Sequence, residues 1–265
     1  MIKLAFSTLG CPEWTFEEIF SAAADLGFSG IEIRGVGREI YAPRIREFCE
    51  ELPGTRERLQ RAGLEIPLFT SGANLSDPDP AGALCEAKEY VILCERARVP
   101  FVRVLGDQNP QPGPAAPLPV LAERFAEICD FARAHGVSVL AETNGVLADS
   151  DKMAELLKAV GADNLFVLWD VHHTCRFFHE SPQKTVGTLG KAIRHVHLKD
   201  SALEDGKVRY KMMGAGDIPV AEAVSALSRI GYEGFYSLEW VKRWAADLTE
   251  AGIVFPQFVS YMRGL

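Results

Sequence analysis

Short runs rich in β-branched and aromatic residues alternate with amphipathic stretches along the whole chain. That alternation predicts parallel strands joined by crossover helices. Eight strands are predicted, over residues 2–6, 30–33, 65–68, 101–105, 137–141, 165–169, 193–198 and 234–238, with helices in the intervals. The first helix, 15–26, has both of its ends written in the sequence: Thr15 followed by Glu18 is a capping box, and Gly27 is a stop. Glycine punctuation of the same kind recurs in Gly27-Phe-Ser-Gly-Ile-Glu-Ile and Gly231-Tyr-Glu-Gly-Phe-Tyr-Ser, where a helix ends and the next strand opens.

Eight such units in 265 residues predict an α/β fold, a single-domain (β/α)8 TIM barrel over 1–265. A doubly wound open sheet has the same alternation. Its first-turn fingerprint G-x-G-x-x-G is missing, however, since Ser7-Thr-Leu-Gly-Cys-Pro follows the first strand. Two segments depart from the rhythm. Residues 110–119 hold five prolines in ten positions and predict an extended loop after the fourth strand. An interdomain linker is the rival reading, but the same alternation continues on both sides. Residues 201–217, after the seventh strand, are polar and contain glycine. They predict a loop on the C-terminal face, where barrel active sites are built.

The ends of the last four strands carry Glu142, Asp170, His197 and Glu239, each following a strand-like run and each about one βα unit from the next. Period 2 along a strand fixes which neighbours share their face. If Glu142 points inward, so do Leu140 and Ser138. The same rule puts Leu168 and Phe166 with Asp170, and Ser237 and Phe235 with Glu239. Val139, Ala141, Val167, Trp169, Tyr236 and Leu238 then face the helices. Three carboxylates and an imidazole aimed at one point repel unless a cation joins them. An O3N donor set suits one divalent ion, with Mn2+ or Zn2+ as leading choices and Mg2+ or Co2+ also fitting. Taken singly, each of the four is more often a barrel-mouth polar group with a salt-bridge partner; four in consecutive strands argue for a shared ion.

Composition narrows the partners. A net charge of −8 and a pI near 5.4 disfavour nucleic acid, whose phosphates are neutralised by Lys and Arg. The arginines of 56–61 are interleaved with glutamates as on a solvated helix face. Six scattered cysteines without C-x-x-C spacing fit reduced thiols in a cytoplasmic protein. The N-terminus passes straight into a strand-like run, so no export signal is expected. No apolar run approaches the roughly 20 residues that a membrane span needs.

Ser7-Thr-Leu-Gly-Cys-Pro-Glu-Trp-Thr-Phe-Glu-Glu, Gly30-Ile-Glu-Ile-Arg, the Asp170-x-x-His173 pair, His195-Val-His-Leu-Lys-Asp and the terminal Leu238-Glu239 resemble the sugar phosphate isomerase/epimerase family of xylose isomerase-like TIM barrels. The resemblance spans essentially the whole chain. That family includes ketose 3-epimerases, inosose isomerases and dehydratases, and hydroxypyruvate isomerases, with endonuclease IV more distant. It implies that Glu142, Asp170, His197 and Glu239 hold the metal, that Glu142 and Glu239 also act as catalytic acid and base, and that His173 contacts substrate. The implied reaction is isomerisation or epimerisation of a small sugar, ketose or inosose through a metal-stabilised enediolate, with an inosose-type dehydratase as the alternative. A homo-oligomer is also compatible with the family. An endonuclease IV-like trinuclear site needs histidines from the N-terminal strands, and the first histidine here is His135.

Other residues carry weaker signals. Lys199 shares the strand face of His197 and suits contact with a substrate oxygen; a salt bridge to Asp200 or Glu239 is equally expected. Asn144 is a candidate for bonding substrate or steadying a ligand. Trp14 and Trp240 are candidate walls of the site, although plain packing is the commoner role of such aromatics. His172 beside His173 leaves open which of them faces the site, and His195, one step deeper than His197, reads as a satisfied core histidine. Glu32, Arg34 and Arg103 read as a charge network in the barrel mouth or as substrate contacts.

Overall fold

The computed structural model describes residues 2–265. Eight parallel strands form one sheet: β1 (Lys3–Ser7), β2 (Gly30–Glu32), β3 (Leu68–Asn74), β4 (Phe101–Leu105), β5 (Ser138–Glu142), β6 (Leu165–Asp170), β7 (Ile193–Leu198) and β10 (Phe235–Leu238). Between the last two of these, β8 (Asp200–Glu204) and β9 (Lys207–Lys211) form a separate antiparallel hairpin. The order in the large sheet is β2-β1-β10-β7-β6-β5-β4-β3, and single bridges Gly30 to Glu65 and Ile33 to Phe69 join its two ends. The sheet is therefore a nearly closed barrel, as the eight units predict.

Strand three lies later than expected. Glu65 makes one bridge, and Pro67, which has no N–H to donate, interrupts the ladder, so regular pairing begins at Leu68. Helix α1 (Phe16–Leu26) starts and stops where its signals stand. Thr15 Oγ1 accepts from the Glu18 amide, Thr15 N–H donates to Glu18 Oε2 at 2.7 Å, and Gly27 closes the helix with φ 74°. The proline-rich segment is irregular only as far as Pro117. Leu118 and Pro119 already belong to α4 (Leu118–Ala134), because proline is tolerated in a first helical turn, where the amides have no intrahelical partner.

The strand faces fall as period 2 requires. Leu68, Leu140 and Leu168, with Phe101 and Phe166, fill the barrel interior. Val139, Ala141, Val167, Trp169, Tyr236 and Leu238 lie in the layer between strands and helices. The rest of the interior is polar: Glu32, His195, His197 and Ser237 are all buried there. Apolar filling under β3 to β6 thus gives way to hydrogen-bonding groups under β2, β7 and β10, and the site opens above both.

Candidate active site

The register of the last strands brings the four predicted residues together. Asp170 pairs across from His197, and Ser237, two residues below Glu239, pairs with His197 on its other side. Glu142 aligns with Leu168, two residues below Asp170. One ligand atom from each of Glu142, Asp170, His197 and Glu239 lies within 4.8 Å of the others, and all four residues are buried. In the strand order β10-β7-β6-β5 the two glutamates stand at opposite ends of the arc.

His197 is the floor of this group. Its Nε2 lies 2.9 Å from Glu32 Oε2, so Nδ1 is turned toward the carboxylates, at 3.4 Å from Glu239 Oε1, 3.7 Å from Glu142 Oε1 and 3.8 Å from Asp170 Oδ2. Buried Nδ1 has no hydrogen-bond partner. Separations of this size are too long for hydrogen bonds but match pairs of ligands that share an ion at about 2 Å from each. The donor set and the orphaned nitrogen both fit a divalent metal.

Charges around the group are arranged in opposition. Burial would raise the Glu142 carboxyl, but the Arg103 guanidinium, with Nε 3.3 Å from Oε2, and the His197 ring hold it well below the usual carboxylate range. Burial raises Asp170 in spite of the Lys199 ammonium against its Oδ2. Lys199 bonds both Asp170 Oδ2 and Glu239 Oε2, and those carboxylates overcome burial to push its pKa up. The salt bridge expected with Glu239 is present; Asp200 instead accepts the amides of Ser201, Gly214, Gly216 and Ile218 and binds the loop together.

The two adjacent histidines have separate places. Helix α6 (Val171–Phe178) begins directly after β6, with Asp170 as its N-cap: Oδ1 accepts the His173 amide at 3.0 Å while Oδ2 stays with the site. His173 Nδ1 lies 3.0 Å from the Thr143 carbonyl, which can only accept, so Nδ1 carries the proton and Nε2 presents a lone pair. Burial and Lys199 lower its pKa to about 3, so the ring is neutral. His172 turns away and bonds Ser201 Oγ at 2.9 Å. His195 Nε2 also bonds Glu32 Oε2, at 2.9 Å, as a satisfied core histidine does.

A cavity of about 520 Å3 stands over the group, lined by Glu142, Asn144, His173, Lys199 and Glu239 together with Arg34 and Arg103. Asn144 faces it while its Nδ2 holds the carbonyls of Asp107 and Asn109, at 2.8 and 3.2 Å, and so anchors the loop after β4. Trp14 does not line it. That ring packs edge-on against Phe255, and Trp240 is buried with Nε1 donating to the Thr249 carbonyl. The aromatics at the mouth are Trp244 and Tyr210. Tyr210 comes from β9, in a hairpin that was expected only as a polar loop. Asp205 and Gly206, both at positive φ, make its two-residue turn, and the Asp-Gly pair was the available signal. Trp244 follows the last strand in a segment with no periodicity, and nothing in the sequence marks it.

Residues 20–255 match the family described as xylose isomerase-like TIM barrel. Across 256 residues, 91% of this chain and 90% of the relative, the sequence is 22% identical to a fructoselysine 3-epimerase of Shigella flexneri. The fold is similar to that of the probable 3-DHS dehydratase AsbF of Bacillus anthracis, with a TM-score of 0.80 and 20% identity over 99% of each chain. It is equally similar to the IOLI protein crystallised with a zinc atom, at a TM-score of 0.80 and 18% identity over 99% of this chain and 97% of that one. The chain belongs to the xylose isomerase-like TIM barrel family.

Proposed function

We propose that the protein is a divalent-metal-dependent isomerase or epimerase of a small sugar, ketose or inosose. The observation that carries this reading is the convergence of Glu142, Asp170, His197 and Glu239 around an unpartnered imidazole nitrogen beneath a cavity of small-molecule size. A divalent cation held by these four residues supplies Lewis acidity to a substrate that offers adjacent carbonyl and hydroxyl oxygens.

The chain's own groups supply the rest. Glu142, kept ionised by Arg103, is suited to take a proton from the carbon beside the carbonyl. Glu239 stands across the arc, next to the Lys199 ammonium; in this reading it is the partner acid, protonated from solvent between turnovers, and gives its proton to the other face of the carbon. Transfer between opposite faces of one carbon inverts it and gives epimerisation; one carboxylate that hands the proton from the hydroxyl-bearing carbon to the neighbouring carbonyl carbon, while the hydroxyl proton passes to the carbonyl oxygen, gives aldose–ketose isomerisation. His173 Nε2 is an acceptor for a substrate hydroxyl, and Asn144, His173 and Lys199 fix the substrate's orientation. Trp244 and Tyr210, rather than Trp14, shield the mouth from water.

Proton–deuterium exchange followed by NMR in D2O tests the reading, using metal-loaded protein with a panel of ketoses, inososes and hydroxypyruvate. Incorporation of deuterium beside the carbonyl is expected. A product lighter by one water would move the assignment to the dehydratase alternative. No exchange and no dehydration across the panel, with metal bound, would sink the proposal.

A further inference from the structure

Lys199 is 2% exposed, and among the described residues no other lysine or arginine pairs with two of the four candidate metal ligands. The three carboxylates of that group divide their oxygens unequally. Glu142 turns Oε1 toward His197 Nδ1, at 3.7 Å, and Oε2 toward Arg103 Nε, at 3.3 Å. Glu239 turns Oε1 toward His197 Nδ1, at 3.4 Å, and gives Oε2 to the Lys199 ammonium. In both, the oxygen nearest the imidazole is not the one that meets the cation. Asp170 differs. Its Oδ1 accepts the His173 amide at 3.0 Å, so Oδ2 alone is left for the point where the four residues converge, and Lys199 stands on that same oxygen.

Two cations on one carboxylate oxygen lie roughly 4 Å apart and repel, the more so where water is excluded. Lys199 does not shed its charge to avoid this, because Asp170 and Glu239 push its pKa up. Most of the ligands have another partner to orient them: the His173 amide for Asp170, Arg103 for Glu142 and Glu32 for His197. What Lys199 supplies is charge. Without it and without a metal, three buried carboxylates would face one another with Arg103 as their counter-charge, an arrangement that burial makes costly. We infer that Lys199 is a counter-cation of the metal-free state: it holds Asp170 and Glu239 together before an ion arrives and, by competing for Asp170 Oδ2, keeps metal affinity below what the four ligands alone would give. The ion is then exchangeable, and the fold does not depend on it to form. This inference rests on the metal site of the functional reading above, but not on the reaction.

Chelator competition with Zn2+ and Mn2+ tests it on wild type, Lys199→Met, Lys199→Gln and Lys199→Arg, alongside thermal melts of the metal-free proteins. Both neutral variants are expected to bind metal about tenfold or more tightly than wild type, and to melt at a lower temperature when metal-free. Lys199→Arg keeps the charge and should show no gain in affinity. A lysine that only orients ligands predicts the opposite sign, a loss of about 10–100-fold in the neutral variants. That loss, an unchanged affinity, an unchanged metal-free Tm or an equal gain in Lys199→Arg would overturn the inference. Lys199→Gln, which keeps an N–H donor for one carboxylate, carries the comparison even if metal-free Lys199→Met does not fold. Metal binding by wild type without tightening in the neutral variants would remove the counter-cation role and leave the metal site standing. No binding of either ion to wild type or to the neutral variants would remove the metal site, and the functional reading with it.

Discussion

Glu32 Oε2 lies 2.9 Å from His197 Nε2, and this one contact decides which nitrogen of His197 faces the three carboxylates. Glu32 is fully buried on the opposite side of the barrel, and it is shared with His195. The two imidazoles hold its carboxyl well below the usual range against the effect of burial. A carboxylate behind a ligating histidine fixes the ring's tautomer and orientation. Glu32→Ala is therefore expected to lower metal affinity by about 10–100-fold, measured by chelator competition. Glu32→Gln should lose less, because an amide oxygen in place of Oε2 still accepts. Unchanged affinity in Glu32→Ala would show that His197 is held by packing alone.

Glu142→Gln and Glu239→Gln separate the proton-transfer roles. Each is expected to lower kcat by about 10²–10⁴-fold. If both faces of the substrate are used, each variant should lose exchange of a different substrate epimer's proton in NMR. Full exchange in both variants would remove the acid–base assignment while leaving the metal site intact.

Chelation should destabilise the fold, since an ion bound by the native state alone contributes stability by mass action. An ion at a hundredfold excess over Kd adds about 2.7 kcal/mol. A thermal melt with and without chelator reads the difference as a lower Tm. Asp170→Ala should melt at the same temperature in both conditions. A wild-type Tm unmoved by chelator or by added Mn2+ and Zn2+ would count against a metal at these residues.

Gly216→Ala is expected to release the hairpin that carries Tyr210. A Cβ there would stand 2.2 Å from Asp200 Oδ1 and 2.4 Å from the Ser201 carbonyl, inside the cluster of amides that Asp200 collects. Limited proteolysis should cut the variant between β8 and β9 faster than wild type, while the barrel melts at nearly the same temperature. An unchanged cleavage rate would show that the hairpin needs no such anchor.

Leu168→Ala removes a fully buried side chain of the small interior cluster beneath Asp170. A loss of about 2–5 kcal/mol is expected in denaturant unfolding, as for other large-to-small core changes. Less than about 1 kcal/mol would mean that the interior layer collapses around the gap.

The alternation of strand and helix patterns, the capping box of α1 and the strand-end positions of Glu142, Asp170, His197 and Glu239 were legible in the sequence. Each of these depends on spacing or on neighbours close in the chain. Period 2 was enough to sort Leu140 and Leu168 from Val139 and Val167. Where β3 begins was obscured because Pro67 breaks a ladder whose partner strand is far away in sequence. Tyr210 and Trp244 were not found as cavity residues, and Trp14 was expected there but packs on Phe255. Only the closed barrel decided that Glu32 lies behind His197, that His173 rather than His172 faces the cavity, and that Arg34 and Arg103 share one wall. These relations join residues up to 165 positions apart. Their geometry comes from strand register and barrel closure, which local periodicity does not encode.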